Sequence, residues 1–110
     1  KYYLFYSANH FMSRDYAVGY AVADSPMGPW HKSADNRIIH RSIVGENGSG
    51  HGDVFADKKG NLFYVYHVHN SNHAVSPRLT RIVPLHFIPS NDGFDHVIVK
   101  KEEVIVPMKK

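Results

Sequence analysis

Leu62-Phe63-Tyr64-Val65-Tyr66-His67-Val68-His69 is a run dominated by aromatic and β-branched side chains. Such residues suit a pleated, half-buried surface, and the run reads as a strand. Working outward, Leu79–Phe87 alternates, with Arg81, Val83, Leu85 and Phe87 on one face and Thr80, Ile82 and His86 on the other. Tyr2–Ser7, Tyr16–Ala23, Val97–Val99 and Val104–Val106 carry the same residue types. No window of about eleven residues or more repeats apolar positions at helical spacing. Turn chemistry separates the runs: Asp24–Pro29, Glu46–Gly52 with its three glycines, Lys58–Asn61 and Asn91-Asp92-Gly93. About eight strands at roughly 8–12-residue spacing indicate an all-β fold.

Leu4-Phe5-Tyr6 recurs as Leu62-Phe63-Tyr64, 58 positions later, and each copy opens a module of about four strands. Radially repeated sheets bury their faces against one another, as in propeller blades. Two such modules alone leave faces uncovered. The expectation is therefore a chain that is incomplete or that self-associates.

Composition narrows the function. The chain has 110 residues, 43% hydrophobic, with 13 Lys and Arg against 10 Asp and Glu, a net charge of +3. Those cations are scattered apart from Lys100–Lys101 and Lys109–Lys110, which argues against nucleic acid as the main partner. No apolar run approaches the ~20 residues of a membrane helix. The absence of Cys excludes a disulfide framework, a thiolate-bound zinc and a Cys nucleophile. The chain begins at Lys1, so a preceding segment is expected to be missing.

Four stretches could carry chemistry. His67, His69 and His73 could bind zinc, with His67 and His69 on one strand face. An acid expected two or three positions on is replaced by Ser71 and Asn72, which favours reading these residues as a hydrogen-bonded strand end with polar tips. Gly48-Ser49-Gly50-His51-Gly52-Asp53 lets backbone approach a ligand or ion closely, or is a flexible loop. It matches neither the phosphate-loop nor the dinucleotide pattern, and a calcium loop would want more carboxylates than Glu46 and Asp53. Arg78 and Arg81, three apart, fall on opposite strand faces, so one can meet a cleft while the other is solvated. His10, Phe11, Met12 and Trp30 could stack on sugar rings, although Trp30 also reads as a packing residue that pins its turn. The acids are Asp15, Asp24, Asp35, Glu46, Asp53, Asp57, Asp92, Asp95, Glu102 and Glu103. None sits in an apolar strand that would raise its pKa, so no general acid is assigned.

Taken in order, Tyr2–Asn9, Tyr16–Ala21, Asp24–Trp30, Gly50-His51-Gly52, Tyr66–Ser71, Pro77-Arg78 and Ile82–Leu85 resemble the C-terminal part of glycoside hydrolase family 43. That resemblance implies a five-bladed β-propeller of antiparallel four-stranded blades. This chain would be its last two blades, with residues 1–45 the penultimate blade and 46–110 the last blade and tail. It implies that His51 helps hold an axial ion, often calcium, largely through water. It implies that Arg78 contacts substrate or the catalytic acid, with Asn9 and His10 on a loop at the same mouth. Asp53 stands where many relatives carry a small residue, which leaves its role open. The family's two Asp and one Glu belong to segments upstream, so the resemblance implies no catalytic residue here and no activity in these 110 residues alone. The parent would hydrolyse arabinose- or xylose-containing plant polysaccharides or oligosaccharides with inversion, secreted or periplasmic. Two alternatives remain: a non-catalytic carbohydrate-binding module, and an assembly β-domain.

Overall fold

Two three-stranded antiparallel sheets and a C-terminal hairpin make up the fold, and aromatic residues facing one another decide how they pack. The computed structural model describes residues 1–10, 12–33, 37–91 and 93–107. Phe11, Asp35, Asp92, Lys109 and Lys110, named above, lie outside the described residues.

The first sheet orders β1 (Tyr2–Ala8), β2 (Ala17–Ala23) and β3 (His31–Lys32). β2 is the central strand and almost wholly buried. Its Ala, Val and Gly residues leave room for the neighbouring strands, and Tyr20 supplies the bulk. After β3 the chain returns to the same edge, where Ile39 bridges Val18. A single helical turn, α1 (Arg41–Val44), follows. The His40 side chain accepts from the Ser42 N–H at its start, and Gly45 ends it in the left-handed region at φ 84°.

The second sheet orders β4 (Gly50–Ala56), β5 (Leu62–Val68) and β6 (Leu79–Pro84). β7 (His86–Ile88) and β8 (His96–Ile98) form the hairpin, and Lys101–Glu103 is a 3₁₀ turn. The alternating run 79–87 is thus two strands. Pro84 has no N–H to continue a ladder, Leu85 sinks into the core with its N–H on the Leu62 carbonyl, and His86 pairs with β8 instead of β5.

Among the described residues, the expected four-stranded sheets carry three strands each. Residues 104–106 contribute one bridge, Ile105 to Ile82, because the 3₁₀ turn ends immediately before them. Glu46–Gly52, read as a turn, ends inside a strand, since β4 begins at Gly50.

Tyr20, Tyr64, Tyr66, Val18, Ile39, Val68, Val83 and Val97 form the centre of the core. Phe5 joins the two sheets, its ring 6.0 Å from Tyr20 and 5.8 Å from Tyr64. Tyr3 meets Phe87 edge-on at 5.4 Å. The tyrosines also pin the hairpin: Tyr20 Oη accepts the buried Val97 N–H at 3.1 Å, and Tyr3 Oη donates to the Asp95 carbonyl at 2.9 Å. Removing a hydroxyl that satisfies a buried N–H leaves a desolvated donor. Tyr20→Phe is expected to destabilise the fold by about 1–3 kcal/mol in chemical denaturation. An unchanged midpoint would show that water replaces the bond.

Candidate functional site

The glycines of 48–52 are set by neighbours. A β-carbon on Gly48 would lie 2.0 Å from the His69 ring, and one on Gly50 2.8 Å from the Tyr16 ring. On Gly52 it would lie 1.7 Å from the Val65 carbonyl oxygen. The segment is therefore packed, and the flexible-loop reading does not hold. Gly50 pairs with His67 and Asp53 with Val65, so His51 and Gly52 together oppose Tyr66. This β-bulge puts His51 at φ 52°, a left-handed conformation uncommon outside glycine.

The bulge re-aims His51. Its N–H donates to Ser7 Oγ on β1 at 2.9 Å, and its ring stacks on His67 at 5.9 Å with the planes 13° apart. A cleft of about 310 Å³ opens beside them, lined by His51, Gly52, Asp53, Val65, Tyr66 and His67. The Arg78 guanidinium lies 5.5 Å over the Tyr16 ring, a cation–π placement, with Nε and Nη2 shielded from solvent. Burial chiefly, then the charges of Arg78 and His51, hold the His67 imidazole below its ordinary pKa.

The structure thus groups His51 and Arg78 with His67 and Tyr16. Asn9 and His10 sit on the adjoining loop, where both side chains make internal bonds. Asn9 Nδ2 donates to the Asp15 carbonyl at 2.8 Å, and His10 Nδ1 accepts the Met12 N–H at 3.1 Å. Arg81 is not the solvated partner of Arg78. Its side chain is 12% exposed and forks onto Glu46, with Nε–Oε1 at 2.9 Å and Nη2–Oε2 at 3.1 Å. The histidine triplet is dispersed. His67 faces His51, His69 packs over Gly48, and His73 stands in an exposed turn. Among the described residues no three His, Asp or Glu side chains gather around a metal position. Calcium takes about six to eight oxygens. Among the described residues lining the cleft beside His51, Asp53 carries the one carboxylate, so a calcium there would draw nearly all its ligands from water.

Tyr16 had no sequence signal as a site residue: its relation to Gly50 and Arg78 exists only in three dimensions. Ser7 was invisible for the same reason. The Trp30 ring lies 3.0 Å from where a β-carbon on Gly28 would stand, and the residue is 36% exposed.

Several carboxylates have structural work. Asp24 pairs with Lys1, Glu46 with Arg81 and Glu103 with His86. Asp57 accepts the N–H groups of Lys59 and Asn61 in the hairpin loop. Asp53 accepts its neighbour Val54's N–H. Asp15 binds Arg41 and His40, and the Arg41 hydrogen bond above all holds its carboxyl below the usual range.

Against known proteins, the family model described as glycosyl hydrolases family 43 matches residues 1–94. Among solved structures, the chain is similar to an endo-1,4-beta-xylanase from Bacteroides thetaiotaomicron VPI-5482, with a TM-score of 0.81 and 38% identity over 96% of this chain and 35% of that one. It is also similar to a thermostable family-43 glycoside hydrolase, with a TM-score of 0.72 and 41% identity over 87% of this chain and 31% of that one. The chain thus spans about a third of the length of these structures. No curated protein matches it.

Two measurements check the packing behind the site. Gly52→Ala must displace the Val65 carbonyl, and a loss of at least about 2 kcal/mol is expected in denaturation. Full stability in that variant would show that the bulge relaxes freely. Burial foremost, with Asp53 and Tyr16 adding, pushes the Tyr64 hydroxyl up to about 12 from an ordinary 10.0. Burial, with Glu46 adding, pushes Tyr66 higher still. A raised folded-state pKa means the unfolded chain ionises first as pH rises. Stability from Tyr64 is full below pH 10 and is lost from there through about 12, and that from Tyr66 is lost over a higher range still. Ultraviolet titration should show them ionising only in that upper range or on unfolding.

Proposed function

The chain belongs to glycosyl hydrolase family 43, and from that premise we propose that it builds part of the substrate-facing wall of a glycosidase acting on xylose- or arabinose-containing saccharides. The observation that carries this reading is Arg78, held on the Tyr16 ring with its charge acting on His67 of the His51–His67 pair. A guanidinium offers a planar fork of donors suited to sugar hydroxyls or a carboxyl group. Fixed on an aromatic shelf, it loses little freedom on binding. Asn9 and His10 would add polar contacts from the neighbouring loop. The xylanase neighbour supports xylan-type substrates; the arabinose alternative comes from the family resemblance. The two sheets would be adjacent blades of a five-bladed propeller.

The reaction is inverting hydrolysis. One carboxylic acid protonates the leaving oxygen while a carboxylate activates water on the opposite face. The engaged carboxylates described above fit neither role, and the family resemblance puts both in segments outside this chain, so the 110 residues alone would be inactive. A calcium ion held near His51 through water would add positive charge at this face and bias nearby pKa values. Because a polysaccharide cannot cross a bilayer, the reading extends to a secreted or periplasmic location.

A second reading, self-association of the isolated chain, is favoured by a cleft of about 460 Å³ between the sheets. It is lined by Tyr3, Leu4, Phe5, Gly52, Asp53, Val54, Leu62, Tyr64 and Phe87, with Leu4 exposed. A clean monomer in light scattering at high concentration would rule this out.

The test uses aryl β-xyloside and α-L-arabinofuranoside hydrolysis by the gene product that carries this chain. Arg78→Ala should lower kcat/KM by about a hundredfold, and Arg78→Lys, a point charge in place of the fork, should recover little. Wild-type rates in Arg78→Ala would overturn the assignment. Hydrolysis by the 110-residue chain alone would show that its own carboxylates suffice.

A further inference from the structure

Residues 9, 10 and 12–16, the described part of the connection from β1 to β2, carry no strand or helix, yet this loop ends in the ring on which Arg78 rests. Its internal bonds close it on itself: Asn9 Nδ2 to the Asp15 carbonyl, the Asp15 N–H to Ser13 Oγ at 3.1 Å, and the Tyr16 N–H to the Ser13 carbonyl at 3.1 Å. Two further ties reach outside it. The Gly48 N–H donates to the Arg14 carbonyl at 2.9 Å, so the loop is held to the glycine segment. Asp15 Oδ1 accepts from Arg41 Nε at 2.8 Å and lies 3.2 Å from His40 Nε2.

His40 Nδ1 accepts the Ser42 N–H at 3.1 Å, while His40 Nε2 lies 3.2 Å from Asp15 Oδ1 and 3.2 Å from Arg37 Nη1. His40 is itself buried and caps α1, which makes it a rigid anchor. Tyr16 follows Asp15 directly in sequence. Its ring occupies the space that the absent side chain of Gly50 leaves, and from there it carries Arg78.

We propose that Asp15 is a positioning residue of the candidate site: by gripping Arg41 and His40 it fixes the loop that sets Tyr16 beneath Arg78. It touches neither Arg78 nor the cleft lining, and acts through Tyr16. This inference rests on the reading of Arg78 given above. It deepens that reading by naming what holds the guanidinium in register. A displacement of about 1 Å at a substrate-orienting group can cost up to a hundredfold in rate, so the tie has leverage far beyond its own strength.

The test needs a readout independent of hydrolysis. The Arg78 Nε–H resonance senses the ring current of Tyr16, and it is followed by NMR in the gene product that carries this chain. Asp15→Ala should move that resonance and lower kcat/KM about tenfold. Asp15→Asn keeps an acceptor for Arg41 and should leave the resonance in place, with activity within about twofold. Should Asp15→Ala not fold, Arg41→Ala removes the other half of the pair from an exposed position and should move the same resonance. A lowered Tm in Asp15→Ala with resonance and kinetics unchanged would overturn the proposal, because Asp15 would then only steady α1. A moved resonance together with full hydrolysis in Arg78→Ala would instead overturn the functional reading and leave the positioning role standing.

Discussion

Gly52 passes so near the Val65 carbonyl that no side chain fits between them, and the arrangement of the candidate site follows from this contact. The approach is possible because one extra residue is inserted opposite Tyr66, bending β4. The bend turns His51 toward β1, where Ser7 receives its N–H, and lays its ring on His67. Without it the strand would alternate evenly and His51 would keep its place in an ordinary ladder. The same stretch demands glycine at 48 and 50 for the His69 and Tyr16 rings. Three chain segments distant in sequence thereby converge on one strand end.

Around that point the fold relies on tyrosines. Tyr20 and Tyr64 bury large rings in the core, while Tyr3 and Tyr20 use their hydroxyls to satisfy backbone groups of the C-terminal hairpin. Each ring therefore contributes apolar burial and a directional bond at once. Tyr16 has a third use, as the shelf for Arg78. The ion pairs sit further out. Arg81 with Glu46 ties the loop before β4 to β6, and Asp15 with Arg41 and His40 ties the loop after β1 to α1. Rigid anchoring of both loops keeps a cationic side chain oriented, whereas a solvated Arg would sample many rotamers.

Much of the fold was legible. The aromatic and β-branched runs at 2–7, 16–23 and 62–69 became β1, β2 and β5 with ends shifted by one residue, because residue type and turn chemistry are local signals. Local signals failed where tertiary contacts intervened. His31–Lys32 pairs with β2 on the strength of a neighbouring strand and not its own composition. Val104–Val106 looked like a strand but makes a single bridge, since the preceding 3₁₀ turn limits its reach along β6. Of the candidate site, His51 and Arg78 were proposed from their motifs. The role of Asp15 could not, because its partners lie 25 and 26 residues away and are brought to it by the return of the chain after β3.

By itself the sequence determined an all-β chain of antiparallel strands, free of Cys chemistry, bearing the pattern of a glycosidase family; these follow from residue types and spacing, which act over a few positions. Only the tertiary structure decided which residues meet. Three glycines that read as looseness proved to be close contacts, a histidine triplet that read as a cluster was dispersed, and an unremarked tyrosine came to lie under Arg78. The physical reason is that packing density and hydrogen-bond satisfaction are properties of neighbours in space, and the pairing of strands that makes them neighbours depends on the whole sheet.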